Sequence, residues 1–134
     1  MDKPDVFDYT VSTGKDVEHC IADVTAALKE EGFGVLGILD FQAVLKQKEV
    51  ELGRDYRLME ACNPQAANIA LQKDIRIGLP PCTIGVYSES GQTKISLLRP
   101  SVLLGLAPES QVTQLATEME TKLKKAVDRA CSRA

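Results

Sequence analysis

From Cys82 to Leu98 the apolar residues fall on every second position, on both sides of Glu89-Ser90-Gly91-Gln92. Ile84 and Val86 share one face of the first segment, Cys82 to Ser88. Ile95 and Leu97 share a face of the second, Thr93 to Leu98. Alternation with a period of two makes a half-buried strand, and Ser-Gly between two such segments is a hairpin signal. The two segments therefore form an antiparallel ribbon with one apolar face. A lone ribbon is marginal in water, so that face needs a cover. The chain supplies one further on. Val112, Leu115, Ala116, Met119, Leu123, Ala126, Val127 and Ala130 form a continuous apolar stripe at helical spacing. Pro108-Glu109 starts this last helix, with a negative charge at its positive end.

The remaining elements can be placed in the same way. Val6 to Val11 alternates and reads as a first strand. Thr13-Gly14-Lys15-Asp16 resembles a capping box, a hydroxyl followed three residues later by a carboxylate. The helix behind it carries Val17, Cys20, Ile21, Val24, Ala27 and Leu28 on one face, and Gly32 suits its left-handed stop. Phe33 to Leu39 is a second strand, in which Gly34 and Gly37 suggest a bulge or a close backbone approach. Asp40 caps a short helix with Ala43, Val44 and Leu45. Val50 to Gly53 connects to a third strand, Asp55 to Cys62. Asn63-Pro64 is a strong helix start, since asparagine is a good N-cap and proline suits the first helical position. Ala66, Ala67 and Ala70 make that helix narrow enough for close packing on a sheet. Lys73 to Pro81 is a loop, and Arg99 to Ala107 is a leucine-rich connection.

The order β-α-β-α-β-α-β-β-α, with a late hairpin, points to an α+β fold. It is a two-layer α/β sandwich with a mostly antiparallel sheet and helices on one face. The 134 residues suit one domain, residues 1–134. No stretch reaches the roughly 20 apolar residues of a spanning helix, and Met1 to Asp5 has no apolar run behind it. A cytoplasmic protein is expected; a periplasmic one whose leader had been removed would read the same. The net charge of -3 argues against nucleic acid, whose binders cluster Lys and Arg. Lys122, Lys124, Lys125 and Arg129 alternate with Glu118, Glu120 and Asp128, the pattern of a solvated helix face.

The four cysteines, Cys20, Cys62, Cys82 and Cys131, have no zinc-ribbon spacing. Two of them carry the sharpest signal. Cys62-Asn63-Pro64 puts a thiol at the end of a strand and against a helix start, where the helix dipole and free amides favour thiolate. Pro81-Cys82 opens the strand that antiparallel pairing could set beside it. Glu60 follows the same alternation as Cys62. Cys62 and Cys82 could hold a soft metal such as Cu(I) or Zn(II), cycle through a disulfide, or line a small-ligand pocket made by Cys62, Asn63, Pro64, Pro81 and Cys82. The plainer alternative is a helix start, a strand entry and two small core residues. Zinc catalysis is the weakest option, because no histidine or third thiol is placed for it. His19 lies off its helix's apolar stripe, between Asp16 and Asp23, and reads as ion-paired. Cys20 reads as packing, and Cys131 as a residue of the fraying C-terminal turn. Tyr87, with Phe7 and Tyr9, marks an exposed face suited to a homodimer.

Gly14-Lys15-Asp16-Val17, Gly32-Phe33-Gly34-Val35-Leu36, Cys62-Asn63-Pro64 with Ala66 and Ala67, and Pro81-Cys82 with Val86-Tyr87 occur in that order along the chain. Together they resemble the bacterial and archaeal domain-of-unknown-function family 302, across nearly the whole length. The resemblance implies a sandwich related to the TATA-binding-protein-like folds, often paired as a homodimer. It lets no activity or cofactor be carried over, because the family is named for lacking a known activity. The expected function is therefore a small binding module, not an enzyme, holding a small ligand or soft metal at the two-cysteine helix start. A thiol-disulfide redox protein and a dimeric scaffold are the alternatives.

Overall fold

The computed structural model describes residues 6–78 and 82–132. Pro81, one of the expected site residues, lies outside them. The strands are β1 (Asp8–Thr13), β2 (Gly34–Asp40), β3 (Tyr56–Cys62), β4 (Cys82–Glu89) and β5 (Gln92–Leu98). The helices are α1 (Val17–Glu30), α2 (Phe41–Gln47), α3 (Pro64–Lys73), α4 (Pro100–Leu104) and α5 (Thr113–Ser132). The strands form one sheet in the order β1-β5-β4-β3-β2, and every neighbouring pair is antiparallel.

The hairpin forms as its sequence requires. Ser90 (φ 53°) and Gly91 (φ 77°) are both left-handed, which suits a two-residue turn that follows the strand twist. In β2 the register slips between Val35 and Gly37, so Leu36 is the extra residue of a bulge. Several boundaries differ from the sequence reading, and the expected connection Arg99 to Ala107 contains helix α4. β1 starts two residues later than Val6. The last helix does not run from Pro108: residues Pro108–Ser110 form a separate 3₁₀ turn, and left-handed Gln111 (φ 60°) breaks the path before Thr113.

One face of the sheet holds the core. Met59, Ile84, Val86, Ile95 and Leu97 are fully buried against Val24 and Leu28 of α1 and Leu123 and Val127 of α5. The opposite face is built differently. Tyr56 and Tyr87 are register partners whose rings stack at 5.0 Å and 15°. The Tyr87 hydroxyl shares a hydrogen bond with Ser96 (2.8 Å), and Ser96 shares one with Thr10 (2.7 Å). Tyr9 does not join them. It pairs with Leu97, packs against the core and donates its hydroxyl to Asp128 of α5 (2.7 Å).

Glu120 also departs from expectation. Its side chain is not on a solvated face but only 7% exposed. It accepts from Arg99 Nε (3.0 Å), from the Ser101 amide (2.9 Å) and from the Ser101 hydroxyl (2.6 Å). Lys124 Nζ lies 3.4 Å away. Arg99 also donates to the Val6 carbonyl (3.1 Å), so this cluster ties α5 to both strands of the β1–β5 pair at one end of the sheet. Alternation with lysines could not reveal this, because the cations that neutralise Glu120 include one on another element. Burial pushes the Glu120 carboxyl up, but Ser101 and Arg99 outweigh it and hold it below its usual value. Replacing Glu120 by Ala takes the carboxylate away from the buried Arg99 and should cost about 3 kcal/mol in urea unfolding at neutral pH. A depressed carboxyl stabilises above its unfolded-state value and loses that effect as pH falls. The gap between wild type and Glu120→Ala should therefore narrow below about pH 4.

Candidate functional site

At the α3 end of the sheet the cover is thin. α3 does not lie flat on the strands. Its main neighbours are the 3₁₀ turn that follows it (Ile75–Gly78) and α5. Ala66, Ala67 and Ala70 face inward but are too short to reach across, so the close packing their size suggested is replaced by a cavity of about 330 Å³. Phe33, Leu36 and Ala61 form its sheet side. Pro100 and Leu104 of α4 close another side, and Val112, Leu115, Ala116 and Met119 close the side toward α5. Leu71 and Ile77 complete the wall.

Three of the five expected site residues border this cavity: Cys62, Asn63 and Cys82. Pro64 heads α3 as its first residue and is exposed outside the lining. Cys62 ends β3 opposite Gly34, while Cys82 begins β4 opposite Ala61. The two cysteines are thus neighbours offset by one residue, and alternation gives them opposite faces of the sheet. Both are free thiols and partly buried. Burial pushes the Cys82 thiol up to about 11, with smaller contributions from Cys62 and Glu60. Cys82 is therefore a neutral thiol at physiological pH.

Asn63 has a local task. Its Oδ1 accepts from the Ala66 amide (3.0 Å) and its carbonyl from the Ala67 amide (2.9 Å). With Pro64 lacking an N–H, the start of α3 is largely spent on its own cap. Asn63 Nδ2 rests 3.4 Å from where a Cβ on Gly32 would stand, and Gly32 has φ +86°. The stop of α1 and the cap of α3 are therefore built against each other. His19 is exposed and paired with Asp16 (3.1 Å), as expected. Among the described residues no group of three or more His, Cys, Asp or Glu is placed to hold a metal ion. Nor, among them, is any helix long and apolar enough to cross a membrane.

The α4 and α5 walls were not expected to belong to a site. The signal for them is length. A 20-residue helix runs about 30 Å, whereas a seven-residue strand runs about 23 Å, so the apolar stripe of α5 outruns the sheet it covers.

A five-stranded antiparallel sheet, packed against helices and ending in an apolar cavity, defines a small α+β domain. The chain belongs to the family described as Domain of unknown function DUF302, which matches residues 9–130. It is similar to a crystal structure of an uncharacterized conserved protein DUF302 from Bacillus stearothermophilus. The two are 32% identical, the match covers 93% of this chain and 98% of that one, and the TM-score is 0.89. No curated protein matches the chain.

Two outcomes test this geometry. Alkylation of Cys82 by iodoacetamide in a Cys62→Ser protein should stay slow at pH 8 and accelerate toward pH 11, as followed by mass spectrometry. Asn63→Ala should lower stability by about 1 kcal/mol through loss of the α3 cap, measured by urea unfolding.

Proposed function

We propose that this domain is a binding module for a small, uncharged, apolar molecule held in the cavity beside Cys62, Asn63 and Cys82. The observation that carries this reading is the cavity itself. Small-ligand pockets begin near 300 Å³. At about 330 Å³, with a wall that is aliphatic apart from Phe33, Asn63 and the thiols, this space has the size and character of a ligand site. A water cluster would find few polar partners there.

The chemistry of the wall favours an organic ligand over the other readings. A soft metal would have two sulfurs from opposite faces and no third ligand group among the described residues. A redox cycle would have to begin from a thiol other than Cys82, whose proton is held too tightly. An anion at the start of α3 would compete with the Asn63 cap. This is a binding role rather than catalysis, in the cytoplasm, where thiols stay reduced.

The homodimer belongs to the same proposal. The sheet face carrying Tyr56 and Tyr87 lies opposite the core, and the edge strand β2 exposes Leu36, Ile38 and Leu39. A helix-covered antiparallel sheet is also what supports kinship with the TATA-binding-protein-like folds. Sedimentation should give twice the chain mass at micromolar concentration; a monomer would defeat the dimer.

The cavity is tested with the uncharged fluorophore N-phenylnaphthylamine. Its emission should rise and saturate at one probe per chain. Ala67→Phe, which fills the cavity from α3, should weaken binding at least tenfold while the protein remains folded by circular dichroism. A non-saturating signal, or equal binding by the variant, would sink the reading.

A further inference from the structure

The other two cysteines lie away from the cavity, and both adjoin the turn between β1 and α1. Cys20 sits in the first turn of α1 and is fully buried; Cys131 sits in the last turn of α5 and is partly exposed. Both thiols point at the turn between β1 and α1. Cys131 Sγ donates to the Ser12 carbonyl (3.1 Å), and Cys20 Sγ lies 4.0 Å from the Lys15 carbonyl. The turn is tightened by the Lys15 amide, which donates to Thr13 Oγ1 (3.3 Å). Lys15 Nζ then reaches Asp23 of α1 and the Ala130 carbonyl of α5, each at 2.6 Å. One lysine therefore holds the two helices together beside both sulfurs.

We propose that Cys20 and Cys131 form a reversible disulfide, stapling α1 to α5, when the protein meets a small disulfide oxidant such as oxidised glutathione. Cys131, the more accessible thiol, reacts first. Its thiolate attacks one sulfur of oxidised glutathione, the glutathione S–S bond breaks, and one glutathione leaves as thiolate. Cys20 then attacks Cys131 Sγ in the mixed disulfide and releases the second glutathione. One disulfide is made in the protein and one is reduced, and the two protein thiol protons end on two glutathione thiols. Burial raises the Cys20 thiol above its usual value and the Lys15 ammonium partly offsets this, so the second step is the slow one.

The crosslink would close most of the chain into one loop. A bridge of that span should raise the melting temperature by roughly 10 °C. The test equilibrates the intact protein in graded ratios of oxidised to reduced glutathione, then maps peptides without reduction. The expected result is a Cys20–Cys131 linked peptide that appears with oxidised glutathione, disappears with reduced glutathione and tracks the rise in melting temperature. Cys131→Ser should abolish both. Cys20→Ala, close in volume, should stop the reaction at glutathionylated Cys131. The wild-type map remains decisive even if that variant fails to fold. Glutathione retained on wild-type Cys131, a Cys131–Cys131 linked pair of chains, linkage confined to Cys62 and Cys82, or no oxidation at all would each overturn the proposal.

Discussion

The three central strands β3, β4 and β5 put Met59, Ile84, Val86, Ile95 and Leu97 on one face, and that face must be removed from water. Ile84, Val86, Ile95, Leu97 and Met59 cannot be buried by their own sheet. α1 and α5 lie across them and pack on each other, so the core is a three-way contact rather than a sheet with appended helices. Polar groups then fasten the edges of this contact. Arg129 reaches Glu30 (3.1 Å) and Glu31 (3.3 Å) at the end of α1, and Lys15 joins the two helices at the other side. Surface pairs of this kind add little stability singly. Their effect here is on orientation, because they oppose sliding of one helix along the other.

The cavity follows from the same constraint, at the point where the cover fails. α1 and α5 suffice for the middle of the sheet. Past the ends of β3 and β4, α5 continues over empty space, and α3 with its alanines is too slender to fill it. Larger residues at Ala66, Ala67 and Ala70 would close the gap and gain packing. Small residues there sacrifice stability that a ligand could restore, which links the economy of the fold to the proposed function.

Glu120 illustrates how position in the fold overrides a local pattern. It sits among lysines on a helix that is polar on its outer side, yet it turns inward to meet Arg99 and Ser101. A lone carboxylate would not be buried there. Charge-assisted hydrogen bonds from three groups on the β5–α4 junction make it tolerable, and the same bonds pin α5 to that junction.

What is periodic or stereochemical could be read from the residues alone. The hairpin at Ser90-Gly91, the bulge flagged by Gly34 and Gly37, the caps at Asp40 and Asn63, and the buried stripes of α1 and α5 all arise from neighbours within a few residues; the capping box expected at Thr13 does not form, because Thr13 ends β1 and Asp16 itself caps α1 by accepting from the His19 amide. Cys62, Asn63 and Cys82 were also legible as residues that belong together, since a strand end, a helix start and a strand start tend to meet at one edge. Their relative orientation was not legible. A register shift of one residue sends a side chain to the other face, and register is chosen by the whole sheet. Only the tertiary structure could decide that Tyr9 faces the helices, that Glu120 is buried, that α3 stands off the strands, and that Cys131 returns to Ser12. Each depends on partners far away in the chain, and no local spacing encodes a distance of that kind.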